Sequence, residues 1–96
     1  MITKDDIFKR REEIVAVARR YGASDIRIFG SVARGDATEA SDLDLLVQFE
    51  PGRSLFDHGG LLMDLRELLG VKVDVIDEGA LSGRFELRVR KEAVPL

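Results

Sequence analysis

The sequence predicts an α/β fold. Three observations carry this: apolar stripes of helical period in two segments, short β-branched runs between and after them, and glycine or proline stops at the joins. At 96 residues the chain is expected to form one domain over 1–96, because so short a length encloses a single core. A composition 45% hydrophobic and 34% charged supplies enough apolar surface to fold and enough charge to stay in solution.

Thr3 is a suitable N-cap, with Asp6 three residues on as a capping-box variant, and Ile7, Ile14, Ala18 and Tyr21 follow at helical spacing. Phe8 and Val15 widen the stripe and Gly22 ends it, so one helix is expected from Lys4 to Tyr21. Asp25 to Phe29 reads as a short strand stopped by Gly30, and the next residues, Ser31 to Gly35, read as one helical turn. After a polar loop, Leu43 to Phe49 has the composition of a buried strand, interrupted by Asp44 and Gln48 and ended by Pro51-Gly52. Leucines 61, 62, 65, 68 and 69 make an amphipathic helix of Asp57 to Leu69, closed by Gly70. Val71 to Ile76 is a third strand, carrying Asp74. From Leu81 the chain mixes strand-like alternation (Phe85, Leu87, Val89) with good helix formers. The reading adopted is a helix capped by Ser82 and stopped at Pro95.

Several function classes are excluded. No apolar run approaches the roughly 18 residues that span a bilayer, and the N-terminus lacks the apolar core of a secretory signal, so no membrane role and a cytoplasmic location are expected. Without cysteine there is neither a disulfide framework nor a thiolate metal site, which leaves oxygen ligands or the single His58. Net charge is −3, unevenly spread: residues 35 to 80 hold eleven Asp/Glu against three Lys/Arg. A duplex-binding protein shows a dominant basic face, so direct nucleic-acid binding is not expected, and the acidic middle suits a divalent cation.

The chemistry-bearing stretch is Gly30-Ser31, ten residues, then Asp42-Leu43-Asp44. Side chains alternate along a strand, so Asp42 and Asp44 point to one face, within reach of a shared ion. Magnesium takes carboxylate and phosphate oxygens, so such a pair completed by a triphosphate is a natural site for it. Asp74, between Val73 and Val75, has little purely structural reason to be there. If its strand lies beside that of Asp42 and Asp44, the three acids can hold two metals roughly 3.5 to 4 Å apart, the arrangement used for in-line phosphoryl displacement. Gly30 permits close backbone approach, Ser31 adds a hydroxyl, and Arg34 returns to the same side of the turn with a guanidinium suited to phosphate. Singly, each signal also fits a blander origin: a tight turn, solvated strand-end carboxylates, an exposed edge strand. Jointly, they supply from three separate elements what one metal-triphosphate site requires.

Phe29-Gly30-Ser31-Val32-Ala33-Arg34-Gly35, Ser41 to Val47 and Val73-Asp74-Val75 resemble the polymerase-β-like nucleotidyltransferase superfamily. More narrowly, the chain resembles the minimal nucleotidyltransferases of the MntA type, antitoxin partners of HEPN-domain toxins. The resemblance is close over Ile26 to Asp77, and the terminal Glu92 to Leu96 also has the family's style, whereas Val32 departs from the larger or polar residue usual after the Gly-Ser pair. It implies a small mixed sheet with helices packed mainly on one side. It also implies Asp42, Asp44 and Asp74 as catalytic and metal-binding acids for two magnesium ions, with Gly30, Ser31 and Arg34 holding ATP. The implied reaction is AMP transfer to a tyrosine of a HEPN-type toxin, an RNase, within a hetero-oligomer, with release of pyrophosphate.

The remaining candidates read more simply. His58 is expected to be structural, Tyr21 to pack on the first helix, and the basic tail of Arg84, Arg88, Arg90 and Lys91 to be a solvated helix face. Two other functions compete with protein adenylylation. One is an antitoxin that neutralises its toxin by complex formation alone. The other is a transferase acting on a small molecule or a nucleic acid 3′ end, which would ordinarily need an added acceptor-binding domain.

Overall fold

The computed structural model describes residues 1–96 throughout. In chain order it contains helices α1 (Lys4–Lys9) and α2 (Arg11–Arg20), strand β1 (Ala23–Phe29), helix α3 (Gly30–Arg34), strand β2 (Leu43–Phe49), helix α4 (Leu55–Leu69) and strand β3 (Val73–Asp77). A 3-10 turn at Glu78–Ala80, helix α5 (Gly83–Glu92) and a two-residue strand β4 (Val94–Pro95) complete it. The four strands form one sheet in the order β3-β2-β1-β4. β1 runs antiparallel to β2 and β4, while β2 and β3 are parallel, so the sheet is mixed as expected.

The first helix is capped as its sequence demands, Thr3 Oγ1 accepting from the Asp6 amide and Asp6 accepting from the Thr3 amide. It does not continue to Tyr21. The backbone leaves helical geometry at Arg10 (φ −111°, ψ 14°), giving two helices where the apolar period predicts one. The break coincides with a tertiary contact: the Arg10 guanidinium donates 2.8 Å to the Leu68 carbonyl in the last turn of α4, one of the carbonyls a helix end leaves unpaired. Ile7 and Ile14 are nonetheless fully buried on either side of the break, joined by Val17 and Ala18.

Strand alternation splits the sheet into two unlike faces. On one, Ile28, Leu43, Leu45, Val47, Val73 and Val75 are buried with Ile7, Ile14, Leu61 and Leu65 in a sixteen-residue core. α1, α2 and α4 therefore cover this face, the arrangement expected of helices packed mainly on one side. The other face carries Phe29, Leu46 and Ile76, covered only by Leu81 and the Val89 side of α5. α5 thus fulfils the helical reading of the tail, with Ser82 at its N-cap. The helix ends at Glu92, before the expected stop at Pro95, and the chain returns to the sheet, Val94 and Pro95 pairing with Ile28 and Arg27.

α4 is tied to the edge strand beneath it. His58 Nε2 lies 2.7 Å from the Val75 carbonyl, and Arg66 donates through Nε and Nη2 to the Val73 carbonyl at 3.2 and 3.1 Å. His58 is therefore structural. Tyr21 is too: its hydroxyl donates to Asp64 and its ring fills the space above Gly60, where an added Cβ would lie 2.4 Å from Tyr21 Cε1.

Candidate functional site

The site is built on the less covered face of the sheet. Register places Phe29 opposite Asp44 and Asp44 opposite Asp74, so these three form one row across β1, β2 and β3. The next row is Arg27, Leu46 and Ile76, apolar enough to seat α5. Asp44 and Asp74 thus stand at the border where α5 stops covering the sheet. The condition that Asp74 lie on a strand beside Asp44 is met.

Gly30 follows Phe29 directly and turns the chain from β1 into α3 with φ +74°, a conformation that L side chains rarely adopt. A Cβ there would sit 2.3 Å from Asp44 Oδ2. Absence of a side chain therefore serves both the turn and the carboxylate packed against it. α3 then carries Ser31 and Arg34 to the rim.

Gly30, Ser31, Arg34, Asp44 and Asp74 line one cavity of about 350 Å³, together with Phe85, Arg88 and Glu92 from α5. Asp42 is not among the lining residues. It is exposed just before β2, yet close enough for its charge to act on Asp44. Burial, then the charges of Asp74 and Asp42, push the Asp44 carboxyl up to about 6, against a smaller opposing effect of Arg34. A larger cleft of about 500 Å³ runs between Met1-Ile2, the loop Thr38 to Ser41 and Leu69 to Lys72. Its Asp6 is committed to the α1 cap and its Arg10 to Leu68 and Glu13, so chemistry singles out the smaller cavity.

Three residues of α5, Phe85, Arg88 and Glu92, are functional candidates that the sequence does not single out: it puts Arg88 on a solvated face and gives Phe85 and Glu92 no place in a site. Glu92 Oε2 accepts from the Gly30 amide at 3.3 Å and Glu92 Oε1 pairs with Arg34 Nη1 at 3.0 Å. Arg34 also pairs with Asp36 at 3.2 Å, so its guanidinium is shared between two carboxylates and is not free for phosphate. The signal that could have found α5 is Phe85 and Val89, four apart, an apolar stripe with Arg88 and Glu92 on its border.

Residues 10–95 match the family model described as a nucleotidyltransferase domain. The chain belongs to that family. Protein adenylyltransferase MntA of Thermococcus cleftensis is 40% identical over 75 residues, 78% of this chain and 76% of its own. MJ0435 of Methanocaldococcus jannaschii, whose name assigns it the same reaction provisionally, is 37% identical over 84 residues, 88% of this chain and 90% of its own. A solved minimal nucleotidyltransferase superposes with TM-score 0.87 at 48% identity, covering 99% of this chain and 97% of that one. A toxin-antitoxin structure with AMP-PNP shares the fold at 22% identity, TM-score 0.75, over 88% of this chain and 69% of that one. The nucleotidyltransferase is thus of the minimal type, with the polymerase-β-like fold. None of its helices is long and apolar enough to cross a membrane.

The donors of the cavity suit a hard dication. Asp44 and Asp74 offer carboxylate oxygens side by side, and the Asp44 carboxyl, raised first by burial and then by the charges of Asp74 and Asp42, is one that a cation beside it would help to ionise. They do not make a complete cage: no three Asp, Glu or His side chains converge as metal ligands. Magnesium commonly takes only one or two carboxylates and completes its shell with water and substrate phosphate, so the set fits it.

Proposed function

We propose that this nucleotidyltransferase is a single-domain protein adenylyltransferase of a toxin-antitoxin pair, moving AMP from ATP to a tyrosine of a HEPN-type toxin in the cytoplasm. The observation that carries the reading is the row in which Asp44 and Asp74 face one another across β2 and β3, beside the Gly30 turn. Asp42, Asp44 and Asp74 would hold magnesium, two ions in the full site, which supplies charge neutralisation for the attacking and leaving oxygens. Gly30, Ser31 and Arg34 bind the triphosphate, which requires Arg34 to exchange its Glu92 or Asp36 partner for phosphate. The tyrosine oxygen forms a bond to the α-phosphorus, the bond from that phosphorus to the bridging oxygen breaks, and pyrophosphate leaves. Asp74, exposed on the open edge strand, orients the phenol and takes its proton.

Incubating the intact protein with its partner toxin, radiolabelled ATP and magnesium should label a toxin tyrosine. An Asp42→Ala/Asp44→Ala variant that labels as well as the wild type would sink the reading. A second reading, neutralisation by complex formation, is favoured by Leu55 and Phe56 at the start of α4, which are 87% and 91% exposed. It predicts that the double variant still neutralises the toxin in cells and elutes with it from gel filtration without ATP.

A further inference from the structure

We propose that Arg88 grips the polyphosphate of the nucleotide and thereby selects triphosphates over monophosphates; the inference rests on reading the cavity beside Asp44 as a nucleotide site. Two guanidinium groups and three carboxylates line that cavity: Arg34 and Arg88 against Asp44, Asp74 and Glu92. With Asp44 and Asp74 given over to magnesium, Glu92 still faces an anionic ligand, and the phosphates beyond the metal call for a side-chain cation free to move toward them.

Arg34 is not that cation as it stands, since Asp36 and Glu92 share it. Glu92 lies four residues beyond Arg88 on α5, the spacing of an ordinary helical ion pair, yet reaches across to Arg34 and the Gly30 amide instead. Arg88 is left without a carboxylate. Its guanidinium carbon lies 5.7 Å from the centroid of the Phe85 ring, a contact that aims the group without neutralising it. The ring is in turn fixed edge-on against Phe29, with centroids 6.3 Å apart, and Phe29 belongs to the row of Asp44 and Asp74. Val89 is buried under α5, which fixes the rotation of the helix that brings its neighbour Arg88 to the cavity wall. Arg90, by contrast, is held by Glu78 and Glu86 and lines no part of the cavity.

Arg88 thus presents a planar, uncommitted fork, the geometry that matches phosphate oxygens in pairs. The test is calorimetric titration of the intact protein, with magnesium, by ATP and by AMP, for wild type, Arg88→Ala, Arg88→Lys and Arg90→Ala, each checked by thermal melting. Arg88→Ala should weaken ATP at least tenfold and AMP less than twofold. Arg88→Lys should fall between, because an ammonium keeps the charge and loses the fork, and Arg90→Ala should match wild type. Unchanged ATP binding by Arg88→Ala, or equal losses for ATP and AMP, overturns the inference. A wild type that binds neither nucleotide overturns the nucleotide reading of the cavity itself, and this inference with it.

Discussion

The Asp44 carboxylate fills the space that a side chain at Gly30 would need, which makes each residue sensitive to the other. Replacing Gly30 with Ala forces a left-handed backbone on a residue with a Cβ and drives that Cβ to within 2.3 Å of Asp44 Oδ2. The backbone cost alone is about 1–2 kcal/mol. Gly30→Ala should therefore melt several degrees below wild type and lose nucleotide binding, both readable from melting curves with and without ATP. Asp44 makes a separate prediction about pH. Its carboxyl is raised from the ordinary value to about 6, chiefly by burial and then by Asp74 and Asp42. Between pH 7 and about 5.5 the folded protein takes up a proton that the unfolded chain does not, so metal-free protein should become more stable as pH falls through this window. Asp6, Glu13, Asp25 and Asp57 are all held below their ordinary values and stay ionised there, so they do not mask the effect. Melting in EDTA at pH 7 and 5.5 checks it, with Asp44→Asn expected to flatten the dependence.

Helix α4 contains two adjacent glycines with opposite meanings. Gly59 faces open space, so Gly59→Ala should stabilise the helix by about 0.5–1 kcal/mol. Gly60 admits the Tyr21 ring, and Gly60→Ala must displace it from Asp64, costing about 1–3 kcal/mol. Denaturant unfolding of the two variants should give changes of opposite sign. The same helix illustrates what the sequence discloses. Its leucine period is local, and such signals were legible: the helix, though read from Asp57 without its Ser54-Asp57 cap, and the bounds Leu43–Phe49 of β2, while the pairing of Asp44 with Asp74 was legible only as a condition on strand order. The break at Arg10 was not, because arginine is a good helix former and the contact made at the break, to the Leu68 carbonyl, lies 58 residues away. Nor was β4, two residues long and ending in a proline, or the reach of Glu92 to Gly30 and Arg34. Contacts of such separation leave no periodic trace. Arg34 was legible as a rim cation, but its two carboxylate partners were not.

At the scale of the molecule, the sheet divides labour between its faces: one is sealed by α1, α2 and α4, the other is left partly bare for chemistry under the single lid of α5. A ligand bound on the bare face stabilises the whole fold by mass action, by about 2.7 kcal/mol at a hundred times its dissociation constant. Magnesium with ATP should accordingly raise the melting temperature of the wild type by several degrees, and should leave the Asp42→Ala/Asp44→Ala variant unmoved. Scanning fluorimetry of both proteins gives the comparison directly.

The side chains that tie α4 to β3 also bear on association. Carbonyls of that outer strand are occupied by His58 and Arg66, and the opposite margin of the sheet is only Val94 and Pro95, the latter without an N–H. A foreign strand laid along β3 would find the Val73 and Val75 acceptors already taken. A partner that extended the sheet at β3 would therefore first have to break the side-chain contacts that hold α4 to that strand.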